Sequence, residues 1–443
     1  MRPFIHDDFL LRSEMARRLY HGVAEGLPII DFHNHLDAGD LADDRVYENL
    51  ARLWVLNDPY KHRAMRIAGV PERFITGDAS DGEKFDAWAA TVPQTLGNPL
   101  FHWTALELKR YFGIDELLSS ESAGPIWDKC NAMLRDPSYS ARGLIGRSSV
   151  ECLCTSDRPG DDLAAHARLA GSPITRWPLS AASGADKNIR VTRVLPSLRV
   201  DGVDGDEAGA VVGCLDHFER MGCRLADHAV TAFDSGALRV LGREYGRRGW
   251  ILQLHIGAQR ETSTRLRALA GPAGGYATIG DRCDIAGLCR FLDDLERDGC
   301  LPRTVLYPLN PADYAALATL TGSFAEDGVR GKIQLGPAWW YNDHALGIRQ
   351  HLDALAHHGL LSAFIGMTTD SRSPLSMVRH EYFRRVLCDG WGEKVERGEM
   401  PGDEGMVGEL VRAVCHGNAR EWSADRPRAA MCEPTKFSRQ PCQ

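Results

Sequence analysis

Eight short apolar runs, each ending in polar or charged residues, alternate along this chain with helix-like segments. They lie at 27–33, 149–155, 189–196, 223–229, 250–256, 303–309, 331–337 and 363–369. Such runs mark strands buried on both faces, and burial on both faces is the habit of parallel sheets covered by helices. Between them stand segments such as DIAGLCRFLDDLERDG (284–299) and DHALGIRQHLDALAHHG (343–359), with the apolar spacing of amphipathic helices. Strand–helix alternation predicts an α/β protein. Eight repeats of it predict closure into a (β/α)8 TIM-type barrel. The fourth run, CRLADHA, is the weakest of the set.

The spacing is uneven after the first run. Residues 37–147 hold several helical patterns, including DDRVYENLARLWVL and EKFDAWAATV, and are rich in tryptophan. A single crossover helix needs far less chain. This stretch reads as a helical insertion on the first βα loop, placed to cover the site or lend it side chains, because barrel sites sit at the carboxyl ends of strands. The expected organisation is one barrel domain over 1–425, insertion included. Residues 426–443 read as an irregular tail with proline, charge and no apolar period.

Composition narrows the partners. The net charge is -8, and no basic stripe is present, which disfavours nucleic acid. No apolar run approaches the ~20 residues of a membrane helix. The first residues, MRPFIHDDFLLRSEMARRLYHG, lack the apolar run of a signal peptide, and the 12 cysteines are scattered without paired CxxC units. The expectation is a cytoplasmic enzyme with reduced thiols that forms a homo-oligomer, as large barrels often do.

The chemistry begins at Asp31-Phe32-His33-Asn34-His35, ending the first run. Residues two apart on a strand point the same way, so His33 and His35 can converge on one ion. Taken alone, an HxH is more often two unrelated histidines. Asp370 ends the eighth run, which in a closed barrel neighbours the first, and a carboxylate added to two imidazoles suits zinc or manganese with positions left open. The alternative for Asp370 is to cap the helix that follows. His255 ends the fifth run as a further ligand, a substrate partner or a core histidine; His228 in the fourth run is a weaker candidate.

Longer blocks carry a resemblance. LPIIDFHNHL, YKHRAMRIAGVPERFITGDASDGEKFDAWAATVPQTLGNPLFHWT, RRGWILQLHIGA, AWWYNDH and FIGMTTDSRSPLSMVRHEYFRRVLC resemble the uronate (glucuronate) isomerases of the amidohydrolase superfamily, over residues 1 to 422. The resemblance implies a (β/α)8 barrel with one divalent metal ion, usually taken as zinc. It implies conversion of D-glucuronate to D-fructuronate and of D-galacturonate to D-tagaturonate. On this basis His33, His35 and Asp370 match the metal ligands and Tyr60 the active-site tyrosine, while Arg199 and Arg372 match substrate-contacting arginines. His255 and Trp339, in AWWYNDH, complete the expected substrate-binding set.

That chemistry removes a proton next to a carbonyl and passes through an enediolate. A base must reach the C–H, with Asp370 or a Tyr60 phenolate as candidates. A cation must meet the oxyanion, which suits the metal or Arg372. A guanidinium fork suits the distant carboxylate, which suits Arg199.

Three departures stand out from the family pattern. Pro59 precedes Tyr60 where a histidine is usual. Val200 follows Arg199 where a proline is usual, and the segments after Arg199 and between Phe233 and Leu241 are short. Gln259 replaces an apolar residue. They keep open a divergent member doing related enolate chemistry — epimerisation, hydration or dehydration — on another sugar acid. Hydrolysis at two metals is disfavoured, since the sixth run, RTVLYPLN, offers no histidine. A non-catalytic binding role is disfavoured by the intact metal set.

Overall fold

The computed structural model describes residues 3–171, 176–177, 190–202, 207–260 and 262–423. The tail at 426–443, with Cys432 and Cys442, lies outside them. Parallel strands β1 (Ile29–Asp31), β2 (Val150–Cys154), β3 (Arg193–Leu195), β4 (Leu198–Asp201), β5 (Leu225–Val230), β6 (Ile251–Ile256), β7 (Arg303–Pro308) and β8 (Ile333–Leu335) form two sheets. Their orders are β1-β2-β3 and β8-β7-β6-β5-β4. The α/β character and the parallel pairing follow from apolar runs such as ILQLHI, whose six residues are all buried.

Two expected strands take a different form. The third run ends early at Leu195, because Pro196 has no N–H to continue the ladder. Pairing resumes beyond it in β4. Asp157, just past β2, joins the two sheets there: its N–H donates to Ser197 O at 2.8 Å, and Arg199 N–H donates to Asp157 O at 2.7 Å. The eighth run, 363–369, forms no strand ladder. Gly366 sits there at φ +97, outside the extended region, and its Cα faces Val414 O so closely that a Cβ would lie 2.3 Å from it.

Side chains hold that segment in place of a ladder. On the β8 side, Ile365 N–H donates to Gln334 Oε1 at 3.1 Å. On the β1 side, Thr369 N–H donates to Asp31 Oδ1 at 2.7 Å, and His33 N–H to Thr368 Oγ1 at 2.8 Å. Residues 363–369 thus span the gap between β8 and β1.

Residues 38–147, between β1 and β2, carry helices and turns without a strand. Among them are α1 (Pro59–Ile67), α2 (Asp81–Thr91) and α3 (Pro99–Phe112). The helix expected over 43–56 forms only at Leu50–Trp54, because Asn49 accepts from Arg52 N–H and so caps it late. In α2 the full capping box of Ser80 and Glu83 is present. Later come α4 (Ile285–Arg297), α5 (Ala345–His358) and α6 (Val378–Glu396). In α4, Leu288, Phe291, Leu292 and Leu295 make a buried stripe at helical spacing. Among the described residues no helix is long and apolar enough to cross a membrane.

Candidate active site

His33 and His35 leave β1 where the chain meets the end of 363–369. The backbones interlock: Asp370 N–H donates to His33 O at 3.1 Å, and His35 N–H to Ser371 O at 2.8 Å. Asp370 takes φ +49, a left-handed conformation that aspartate tolerates better than most residues. Its Oδ1 then lies 2.9 Å from His35 Nε2 and 3.4 Å from His33 Nε2. The two imidazoles hold its carboxyl well below the usual range, against the opposing effect of burial. Asp370 does not cap the next helical turn; Ser373 does that, accepting from Leu375 N–H.

These residues fit a divalent ion. Their three ligand atoms lie within 4.8 Å of one another, and a tetrahedral set with bonds of about 2.0–2.2 Å has edges of about 3.4 Å. Two imidazoles and one carboxylate are donors that zinc and manganese accept.

Trp339 holds the Asp370 carboxylate from behind. Its indole Nε1 donates to Asp370 Oδ2 at 3.0 Å, so both Asp370 oxygens are engaged. Outer partners of metal ligands orient them. Trp339→Phe keeps the ring and deletes the donor. The expected result is metal affinity weaker by about 10–100-fold, read by competition with a chromophoric zinc chelator. Unchanged affinity would reduce Trp339 to a wall of the cleft.

His33, His35 and Asp370 line an open cleft together with Tyr60, Asp227, His255, Arg199, Arg260 and Arg372. His255 is stacked on Tyr307, with centroids 4.6 Å apart, and lies 4.7 Å from the rings of both His33 and Trp339. Burial drives its pKa well below the usual histidine value, so the ring is neutral. Its Nε2 and Asp227 Oδ1 are buried without hydrogen-bond partners among the described residues. His33, Asp227 and His255 form a second close group of donors. Buried polar atoms seldom stay unpaired in a native protein, so this wall of the cleft is shaped for a polar occupant.

Arg199 lines the cleft but shares Nη2 with Asp201 at 2.7 Å. Arg372 has no ion-pair or hydrogen-bond partner among the described residues. Arg260 stands over Trp340, 5.8 Å from the ring centroid. Three arginines and three aspartates, Asp201 among them, thus share the cleft.

Tyr60 enters from the start of α1. Asp58 accepts from Tyr60 N–H and Lys61 N–H, and Pro59 occupies the first turn, where its missing N–H costs nothing. Tyr60 OH donates to Asp343 Oδ2 at 2.9 Å. The Arg379 guanidinium packs 4.8 Å from the Tyr60 ring centroid and 4.1 Å from that of Trp103. Burial and the Asp343 carboxylate push the phenol well above its usual pKa despite that guanidinium, so Tyr60 is a neutral phenol. The space beside Pro59 is taken by backbone: Gly275, at φ +81, lies so close that a Cβ would come within 2.3 Å of Pro59 O.

Asp227, Arg260 and Asp343 escaped the sequence reading. A signal existed for two of them, since Asp227 stands beside His228 in a run already marked as a strand, and Arg260 follows the fifth run. The run's histidine, His228, is a core residue, 3.0 Å from Tyr245 OH and away from the cleft.

Known proteins extend this picture. A sequence profile described as Glucuronate isomerase matches residues 1–201 and 222–423. The uronate isomerase of Bacillus licheniformis is 41% identical over 463 aligned positions, covering 95% of this chain and 98% of that protein. The uronate isomerase of Geobacillus thermodenitrificans is 41% identical over 465 positions, covering 95% and 99%. The crystal structure of uronate isomerase from Thermotoga maritima superposes with a TM-score of 0.83 at 30% identity, covering 95% of this chain and 100% of that one. Glucuronate isomerase from Caulobacter crescentus shares the fold, with a TM-score of 0.84 at 22% identity and 96% and 98% coverage. By this profile, these identities and this shared architecture, the chain belongs to the glucuronate (uronate) isomerase family.

Proposed function

We propose that this chain interconverts an aldose-type hexuronate and its ketose isomer, D-glucuronate with D-fructuronate and D-galacturonate with D-tagaturonate. One observation carries the reading: the two histidines and Asp370 face the same cleft as Arg199, Arg260 and Arg372. A sugar acid needs both features, a polar centre for its reacting end and cations for its carboxylate. The same reading takes 363–369 as the irregular eighth strand of a closed (β/α)8 barrel. It takes residues 37–147 as an insertion on the first βα loop within one unit spanning 1–425.

His33, His35 and Asp370 are the residues to hold a divalent ion, zinc or manganese. When bound, that ion supplies a fixed positive charge beside the sugar's oxygens. Arg372, with no competing carboxylate partner, faces the oxygen on which charge develops. Arg199 and Arg260 orient the distant carboxylate, and Arg199 has one side of its fork left after Asp201 takes the other. Asp370 has both oxygens engaged, whereas Asp227 Oδ1 has no partner. Asp227 is therefore the freer carboxylate to take the C–H proton and return it to the neighbouring carbon. Tyr60, a neutral phenol, handles hydroxyl protons.

The test is proton NMR of the zinc-loaded enzyme with D-glucuronate or D-galacturonate in deuterated water. Ketose formation is expected, with the hydrogen from C2 carried onto C1 except where Asp227 exchanges it with solvent first. Exchange without ketose would replace this reading with related enolate chemistry on another sugar acid. No change with either substrate would overturn it.

A further inference from the structure

Asp343 is buried and absent from the wall of the cleft, yet it holds the hydroxyl of a residue that lines it. Tyr60 OH donates to its Oδ2 at 2.9 Å. The Arg379 guanidinium is the charged neighbour on the far side, with Nη1 3.7 Å from the same oxygen. Among the described residues Asp343 Oδ1 has no hydrogen-bond partner, and neither has Arg379 Nε. A carboxylate needed only to anchor a tyrosine and an arginine would have both oxygens engaged, as Asp370 has. Here one oxygen is bonded to the phenol and the other is kept dry and unpaired, which is costly unless the group carries a proton for part of a cycle.

We propose that Asp343 is a positioning residue that acts through Tyr60, accepting the phenol proton while Tyr60 takes a hydroxyl proton from the sugar acid. The proposal rests on the isomerase reading given above. After C2–H has been removed, the enediolate holds a proton on O2 and charge on O1. The ketose needs the reverse. The O2–H bond breaks and its proton joins the Tyr60 oxygen, as the original Tyr60 O–H bond breaks and its proton joins Asp343 Oδ2. Transfer back along the same path places a proton on O1. The electron pair left on O2 forms the C2 carbonyl, and the C1=C2 pair takes the stored proton onto C1. Neither Tyr60 nor Asp343 gains or loses a proton over a turnover. Burial raises Asp343 to about 7, against the lowering effect of Arg379, so both of its forms are accessible near neutrality.

The experiment compares zinc-loaded wild type, Asp343→Asn, Tyr60→Phe and the double variant on the hexuronate that wild type turns over. Asparagine still accepts the phenol hydrogen bond through its oxygen but takes no proton. A merely structural role then leaves kcat near wild type. The relay lowers kcat by about 10²-fold or more, with KM changed far less. It makes the double variant no worse than the worse single one, since both changes cut one path. Zinc content and melting temperature should match wild type. A kcat for Asp343→Asn within about threefold of wild type, or losses that multiply in the double variant, would overturn the relay and leave the isomerase reading standing. If Asp343→Asn does not fold, the solvent deuterium effect on kcat decides. A proton inventory that bows, from two protons moving together, supports the relay, and a linear one, from a single proton, overturns it. Wild type inert on both hexuronates would overturn the isomerase reading, and the relay with it.

Discussion

With the proposed metal site at His33, His35 and Asp370, Asp370→Asn is expected to abolish divalent-ion binding and to lower turnover by about 10³-fold or more, beyond the roughly 10–100-fold that loss of an outer partner costs. Asp370 is the one anion among the three candidate ligands. An amide cannot neutralise a divalent charge, and its NH2 group turns a donor toward the ion or toward Trp339 Nε1. In the first orientation the ligand is lost. In the second, the amide faces an indole N–H that already donates to that position at 3.0 Å. Both outcomes weaken the site, and the two histidines alone leave an unbalanced set. The measurement is zinc per chain after gel filtration, beside kcat on the hexuronate. A variant that keeps stoichiometric zinc and full turnover would remove Asp370 from the centre.

Asp31→Asn is expected to destabilise the protein by roughly 3 kcal/mol, although Asp31 touches no substrate. Asp31 is fully buried at the end of β1 and binds donors on both oxygens. Oδ1 lies 2.6 Å from Thr368 Oγ1 and 2.7 Å from Thr369 N. Oδ2 lies 2.6 Å from Thr369 Oγ1 and 3.3 Å from Asn34 Nδ2. Whichever way an asparagine side chain is turned, its NH2 meets donors. These bonds take the place of a strand ladder between β1 and 363–369, so the loss loosens the frame that sets Asp370 against His33 and His35.

The sign with pH follows from the same contacts. The His380 ring and the two threonines hold the Asp31 pKa below its ordinary value despite burial. Its stabilising contribution is therefore complete above the unfolded value of about 3.9 and is lost as pH falls through the lower folded value. Urea midpoints of wild type and Asp31→Asn should differ most near neutrality and converge below pH ~3.9. Equal midpoints at pH 7 would mean that the carboxylate does not bridge the two segments.

His33 and His35 were legible because their signal is local: two imidazoles two residues apart at the end of an apolar run. Asp370 needed one further premise, that the eighth run lies beside the first. That run proved not to be a ladder strand, yet the premise about its place holds: Asp31 and Thr368 tie it to β1, and Gln334 ties it to β8. The irregularity itself was hidden, since Gly366 reads as one small residue within AFIGMTT until Val414 is seen packed against it.

Tyr60 was nameable from its sequence block, but its state was not. A phenolate there needed a cation, and Arg379 does lie against the ring; the burial and the Asp343 carboxylate that outweigh it come from chain 283 residues away. By itself the sequence determined which short stretches are strands or helices and which few side chains end the first and last runs, because periodicity and i, i+2 spacing act within one element. Only the tertiary structure decided which carboxylate is engaged on both oxygens and, among the described residues, that Arg372 is unpaired and which buried atoms lack a partner. Those properties are set by the distance between residues far apart in sequence, and desolvation, the largest influence on Asp31, Tyr60, His255, Asp343 and Asp370, exists only once the core has closed around them.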